Sequence, residues 1–100
     1  MPFAIPQSVL GDIGALCQRH GIRRLAIFGS ALRADFGPSS DVDVLVEFIP
    51  GTRTGLRFFA IQDELSALLG RTVDLNTAGF LSPLFRDEVL LEAKDVYVAA

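Results

Sequence analysis

The chain has 100 residues, half of them hydrophobic and 21% charged, so we expect one folded domain with one core over residues 1–100. Its formal net charge of −3 argues against a stand-alone nucleic-acid-binding protein, which needs surplus lysine and arginine to neutralise phosphates. We expect a cytoplasmic protein without membrane spans. The sequence has no apolar run of roughly 18 residues, no signal-peptide pattern and no second cysteine with which Cys17 could form a disulfide.

The chain begins with a predicted helix and strand. Apolar residues at helical spacing predict a helix over residues 8–20, with Ser8 as its N-cap and Gly21 as its C-terminal stop. The short apolar run Leu25–Phe28 predicts a buried strand.

A turn and a short helical segment follow this strand. Gly29 and Ser30 are predicted to form the turn. Residues 31–36 are then predicted to form a short helix or helical turn, which Gly37 and Pro38 close.

The clearest strand signal covers residues 41–48, where the side chains alternate with a period of two. One face of this strand would carry Val42, Val44, Val46 and Phe48, and the other would carry Asp41, Asp43, Leu45 and Glu47. The strand therefore has one wholly apolar face and one that begins with two carboxylates.

The second half of the chain repeats the alternation of helix and strand. A loop over residues 50–55 precedes an amphipathic helix that is predicted from Leu56 to Gly70. Residues 72–77 then predict a third strand, in which Asp74 points away from the face of its apolar neighbours.

The C-terminal segment predicts one more helix and one more strand. Ser82 and Pro83 form a start signal for a helix that would run to about Lys94, and residues 95–99 would add a terminal strand. The predicted fold class is therefore α+β, an α/β domain of two layers in which a small sheet packs against helices.

The acidic residues suggest a metal site. Asp41 and Asp43 would leave one face of a strand roughly 6 to 7 Å apart, where their charges repel unless a cation lies between them. Mg²⁺ prefers such oxygen ligands, and Asp74 on another strand would bring a third carboxylate. Three carboxylates are typical of a two-metal site for in-line displacement at phosphorus, in which Asp74 would also accept the attacking hydroxyl's proton.

The turn before these acids suits phosphate groups. Gly29 has no side chain to keep the backbone away from a triphosphate, and Ser30 offers a hydroxyl and an amide. Arg33 would add a fixed positive charge.

One motif combines the turn with the acidic residues: Gly29-Ser30 is followed, after ten residues, by Asp41-Val42-Asp43. This motif closely resembles the signature of the nucleotidyltransferase superfamily typified by DNA polymerase beta. The resemblance is closest to its minimal nucleotidyltransferase (MNT) branch, and the C-terminal stretch "VDLNTAGFLSPLFRDEVLLEAKDVYV" extends it over nearly the whole chain. It implies the nucleotidyltransferase fold with a small mixed sheet.

The resemblance also implies an activity and a partner. Members of this branch often act as antitoxins beside a HEPN-family toxin, and some transfer AMP from ATP to a toxin tyrosine with Mg²⁺. By position, Gly29 and Ser30 would hold the nucleotide, while two magnesium ions would bind Asp41, Asp43 and Asp74. Where the branch often has a second basic residue after Gly-Ser and a glycine after the arginine, this chain has Ala31 and Ala34.

Two alternatives remain open at this point. Nucleotidyl transfer to a small molecule such as an aminoglycoside would use the same site, although relatives of that kind usually carry an extra helical domain. An antitoxin that acts by binding alone would keep its carboxylates as a relic. The intact Asp41, Asp43 and Asp74 argue against that alternative, whereas Ala31 and Ala34 keep it open. We expect the AMP-transferring antitoxin, with no direct nucleic-acid or membrane partner.

Overall fold

The computed structural model describes residues 3–34, 36–37 and 39–99. Within these ranges the chain forms one four-stranded mixed sheet and three α-helices. The strands are β1 Ile22–Phe28, β2 Val42–Phe48, β3 Val73–Asn76 and β4 Lys94–Val98. The helices are α1 Gln7–His20, α2 Arg57–Leu69 and α3 Arg86–Glu92, and there are 3₁₀ helices at Gly29–Leu32 and Ala78–Phe80. The predicted α+β class is confirmed.

The sheet has the strand order β3-β2-β1-β4. β1 pairs antiparallel with both β2 and β4, whereas β2 pairs parallel with β3. A parallel pair cannot be joined by a tight turn, so the chain crosses over through α2 between these two strands. β2 is consequently an inner strand with a neighbour on each side.

Helices cover the two faces of the sheet unequally. α1 and α2 pack on the face formed by the apolar side of β2, and together they build the main core. On the other face, β1 and β2 contribute a small cluster of Ala26, Phe28 and Leu45. Val89 and Leu90 of α3 pack against that cluster. The acidic residues of β2 and β3 share this second, less covered face.

Several predicted boundaries are confirmed. Gly21 and Gly70 end α1 and α2 in the left-handed conformation, with φ of 67° and 64°. The terminal strand exists and begins one residue earlier than predicted, at Lys94. The short helix after β1 is a 3₁₀ helix that already starts at Gly29. Asp35 and Pro38, which the sequence placed in and after it, lie outside the described residues.

The predicted cap of the first helix is wrong. Ser8 is the second residue of α1, and Pro6 occupies the N-cap position. The Pro6 carbonyl accepts hydrogen bonds from the amides of Val9 and Leu10 at 3.0 and 3.2 Å. Because the proline ring fixes φ, here −59°, the chain is already set for this turn without a side-chain cap.

The predicted start of the last helix is also wrong. α3 begins at Arg86, after a turn in which the Ser82 carbonyl accepts the amides of Phe85 and Arg86 at 3.0 Å each. The Arg86 guanidinium donates to the carbonyls of Ala78 and Leu81, which ties this turn to the preceding 3₁₀ helix. The helix ends at Glu92, because Lys94 is drawn into the sheet opposite Ile27.

No helix in the described part of the chain is both long enough and apolar enough to cross a bilayer.

Candidate active site

The inner strand β2 brings two of the predicted carboxylates together. Asp43 is the register partner of Asp74 across the parallel pair of β2 and β3. Both alternate with core valines, Val42 and Val73, so their side chains leave the same face of the sheet. On its other side Asp43 faces Phe28, the last residue of β1. The turn that follows β1 therefore lies directly over the Asp43 side chain.

The charge balance at Asp43 is unfavourable for its ionised form. Partial burial raises the pKa of Asp43 above its ordinary value of 3.8, and the negative charges of Asp74 and Asp41 raise this pKa further. A hydrogen bond from the Ser30 amide and the positive charge of Arg33 act in the opposite direction. All four of these neighbours were predicted site residues, and the electrostatics show that each lies within reach of Asp43.

The turn after β1 is fitted to this carboxylate. Gly29 has a φ of +68°, and a Cβ placed there would lie only 2.5 Å from Oδ2 of Asp43. Any other residue would therefore strain the backbone and push the carboxylate aside. The Ser30 hydroxyl donates to the Asp41 carbonyl at 3.4 Å, which links the turn to the start of β2.

Asp41 differs from the other two aspartates in its setting. It precedes the first residue of β2 and is exposed, so the strand does not hold its side chain as it holds that of Asp43. Its position is set through its backbone, by the hydrogen bond from Ser30. Asp74 is likewise exposed, but it is fixed within β3.

A cleft of about 310 Å³ opens beside the turn and is lined by Gly29, Leu32, Arg33 and Glu92. Arg33 is exposed at the end of the 3₁₀ helix, and its amide donates to the Ser30 carbonyl at 3.0 Å. Glu92, the last residue of α3, was not among the predicted site residues. Its one signal in the sequence is a negative charge at the C-terminal end of a helix, where the dipole disfavours it.

One departure from the MNT pattern has a structural counterpart. Ala31 is completely buried against the main core, and its carbonyl accepts the amide of Phe3 at 2.8 Å. A basic side chain at this position would have to leave the core to reach a phosphate. Arg33 is consequently the basic residue that this turn presents to the cleft.

The donor set fits a hard divalent cation. Carboxylate oxygens are the ligands that Mg²⁺ prefers, and a cation beside Asp43 would relieve the repulsion that raises its pKa. Within residues 3–34, 36–37 and 39–99, no three His, Cys, Asp or Glu side chains already form a metal-binding group. Asp43 and Asp74, which pair across β2 and β3, and the exposed Asp41 are the residues that would hold such an ion.

The raised pKa of Asp43 predicts a pH-dependent stability difference. As pH rises above 3.8, an unfolded chain releases the Asp43 proton before the folded chain does, so ionisation lowers the free energy of unfolding. We expect Asp43→Asn to match the wild type at lower pH and to melt at a higher temperature at neutral pH.

Thermal unfolding of both proteins from pH 3 to pH 8 measures this difference. Saturating Mg²⁺ is expected to raise the melting temperature of the wild type at neutral pH and to leave that of the variant unchanged. A variant that melts at a lower temperature than the wild type at neutral pH without metal would show that the Asp43 carboxylate stabilises the fold.

Comparison with known proteins identifies similar chains. A family model described as "Nucleotidyltransferase domain" matches residues 13–96. A Methanocaldococcus jannaschii protein named "Putative protein adenylyltransferase MJ0435" is 41% identical over 78 residues, which is 78% of this chain and 83% of the relative. The protein adenylyltransferase MntA of Thermococcus cleftensis is 40% identical over 85 residues, covering 83% of this chain and 81% of that protein.

Solved structures with the same fold include one titled as a minimal nucleotidyltransferase and two of toxin–antitoxin pairs. A structure titled "Structure of putative minimal nucleotidyltransferase" superposes with a TM-score of 0.73 at 38% identity, covering 88% of this chain and 89% of that one. A toxin–antitoxin structure with AMP-PNP gives a TM-score of 0.70 at 20% identity, covering 90% and 73%. A tri-AMPylated HEPN toxin from Shewanella oneidensis in complex with its MNT antitoxin gives 0.64 at 20% identity, covering 93% and 72%.

Proposed function

Because the chain belongs to the nucleotidyltransferase domain family and is an enzyme of that class, we propose that it transfers AMP from ATP to a tyrosine hydroxyl of a HEPN-family toxin. In this proposal the chain is the antitoxin of a cytoplasmic toxin–antitoxin pair, and the transfer silences the toxin. The observation that carries the proposal is the pairing of Asp43 with Asp74 beneath the turn of Gly29 and Ser30.

The relatives support the choice of reaction and partner. Two relatives at about 40% identity carry the name protein adenylyltransferase. One structural neighbour was solved with an ATP analogue, and another is the complex of an AMPylated HEPN toxin with an MNT antitoxin. This chain shares the fold of those antitoxins.

The reaction is an in-line displacement at the α-phosphorus of ATP. The tyrosine oxygen forms a bond to that phosphorus, the bond from phosphorus to the β-phosphate bridging oxygen breaks, and pyrophosphate leaves. We assign Asp74 as the acceptor of the tyrosine proton, since Asp74 is exposed beside Asp43 and open to an incoming hydroxyl.

The remaining residues position the nucleotide. The Gly29 turn lets the backbone approach the phosphates, and the Ser30 hydroxyl can turn from the Asp41 carbonyl to a phosphate oxygen. Arg33 neutralises part of the phosphate charge from the wall of the cleft. Two Mg²⁺ ions held by Asp41, Asp43 and Asp74 would stabilise the negative charge that develops on the attacking and leaving oxygens.

Labelled ATP distinguishes this function from its alternatives. The purified chain, α-phosphate-labelled ATP and Mg²⁺ are incubated with a co-purified HEPN-family protein, and separately with an aminoglycoside. We expect label on a tyrosine of the HEPN protein and none after that tyrosine is changed to phenylalanine.

The other outcomes contradict the proposal in different ways. Label on the aminoglycoside alone would assign a small-molecule acceptor. A tight complex with no label on either acceptor would assign an antitoxin that neutralises by contact.

A further inference from the structure

An apolar pocket lies at the opposite end of β2 from Asp43. Its volume is about 320 Å³, and four phenylalanines line it: Phe48, Phe58, Phe59 and Phe80. Phe58 makes edge-to-face contacts with Phe59 and Phe80, at centroid distances of 5.9 and 5.6 Å. We call this feature the aromatic pocket. It is assembled from the end of β2, the start of α2 and the 3₁₀ helix after β3.

The rim of the aromatic pocket is unusually exposed for such apolar residues. The exposed fractions are 60% for Phe59 and 69% for Phe80. Single exposed apolar residues are ordinary on protein surfaces, but a cluster of aromatic side chains around a concave pocket is typical of a binding site. The pocket has the volume and lining to take a bulky apolar side chain from outside.

The charge around the aromatic pocket indicates what binds there. Arg53 and Arg57 are the chain neighbours of the lining residues Thr54 and Phe58, and both are exposed. Neither makes an ion pair with another described residue. The sequence contains no aspartate or glutamate from residue 48 to residue 62, although the whole chain has a net charge of −3. The segment from residue 48 to residue 62 is therefore locally basic in a chain that is acidic as a whole.

We infer that the aromatic pocket docks the protein acceptor through a segment that carries a bulky apolar side chain flanked by aspartate or glutamate. This inference rests on the proposed function, because the acceptor is the HEPN-family partner. The apolar side chain would fill the pocket, and its acidic neighbours would meet Arg53 and Arg57.

Other occupants fit the surface less well. A second copy of this chain in a two-fold arrangement would bring the arginines of both copies together, and their like charges would repel. Single-stranded RNA would stack on the phenylalanines, but two arginines on a chain with a net charge of −3 supply little phosphate neutralisation.

The aromatic pocket lies away from Asp43, so a partner could dock there without entering the candidate active site. Phe48 lies five residues after Asp43 in β2, a span of about 16 Å along an extended strand. Phe48 also packs with the main core, on the face opposite that of Asp43. Docking there would hold the partner while a separate segment of it delivers the tyrosine. Losing the docking contact should raise KM for the protein acceptor and leave kcat nearly unchanged.

Two sets of exposed substitutions test this inference. The first is Phe59→Ser with Phe80→Ser, and the second is Arg53→Glu with Arg57→Glu. The probe is the same co-purified HEPN-family protein, with its affinity measured by calorimetry and KM and kcat measured by AMP transfer. We expect each double variant to weaken binding and raise KM by about tenfold or more.

Controls separate the outcomes. Leu91→Ser removes an apolar side chain that is 87% exposed on α3, and it should change neither quantity. Affinity for Mg²⁺ with a non-hydrolysable ATP analogue should stay unchanged in all variants, and its loss in the phenylalanine variant would assign the aromatic pocket to nucleotide instead.

The remaining outcomes overturn the inference. Unchanged affinity for the HEPN protein in both double variants would refute the docking surface while leaving the proposed function intact. A wild-type chain that fails to bind the HEPN protein would refute both. Self-association or binding to single-stranded RNA that the phenylalanine variant abolishes, with HEPN affinity unchanged, would assign the surface to that occupant.

Discussion

Replacing Asp43 with asparagine is expected to reduce Mg²⁺-dependent AMP transfer about a thousand-fold. Asparagine has nearly the same shape but no charge, so the metal-binding oxygens on the inner strand would lose the electrostatic attraction that holds a cation. Metal ions contribute several kcal/mol to stabilising charge in a transition state, and each 1.4 kcal/mol or so is a factor of ten in rate. Initial rates of AMP transfer at saturating ATP and acceptor measure the effect.

Glu47→Gln is the matched control for this substitution. Glu47 lies on the same face of β2 as Asp43, but its carboxylate meets Arg23 and Arg24 at 3.5 and 3.7 Å. Its removal breaks partly exposed ion pairs of small energetic value and should leave transfer unchanged. If both variants lost activity equally, a general effect of charge on this face, and not a metal ligand, would explain the result.

Replacing Gly29 with alanine is expected to lower AMP transfer about a hundred-fold. Alanine in the left-handed conformation costs roughly 1–2 kcal/mol, and the new Cβ would stand 2.5 Å from Oδ2 of Asp43. The carboxylate or the turn must then move, and displacements of about 1 Å in a catalytic group can cost a hundred-fold in rate. Transfer rate and melting temperature are measured together.

Gly70→Ala is the control that separates the effect of backbone strain from the effect of the contact between a new Cβ at position 29 and Oδ2 of Asp43. Gly70 has a φ of +64°, close to the +68° of Gly29, but a Cβ there meets no atom within 4 Å. This control should lose stability and retain its transfer rate. Equal rates in the two variants would show that the close approach of Gly29 to Asp43 has no part in catalysis.

Much of the fold could be predicted because the local sequence patterns favour the same helices and strands that the packing of the core requires. The alternation over residues 41–48 predicts β2, and the structure buries Val42, Val44 and Val46 on one face. Gly21 and Gly70 stop their helices because glycine adopts the left-handed conformation without cost. The two boundary errors have different causes. Pro6 sets the first turn of α1 without a side-chain cap, and the Arg86 side chain holds a separate turn before α3 through the carbonyls of Ala78 and Leu81.

For the candidate site, the sequence predicts the residues and their spacing along the chain, but not the register of the strands that bring them together. The spacing from Gly29 to Asp43 is visible in the sequence, and strand parity predicts the face on which Asp74 lies. The register that pairs Asp74 with Asp43 is set by how β3 aligns with β2, which no local pattern encodes. Glu92 and the aromatic pocket escaped prediction for the same reason, since their neighbours come from elements far apart in the chain.

The central claim is that Asp41, Asp43 and Asp74 bind two divalent cations together with the phosphates of ATP. A crystal structure with Mn²⁺ and a non-hydrolysable ATP analogue tests it most directly, because the anomalous signal of manganese locates each ion. We predict two anomalous peaks between these carboxylates and the α-phosphate, both in contact with Asp43. A nucleotide bound elsewhere, or bound here with no peak within ligand distance of Asp43 and Asp74, would contradict the account.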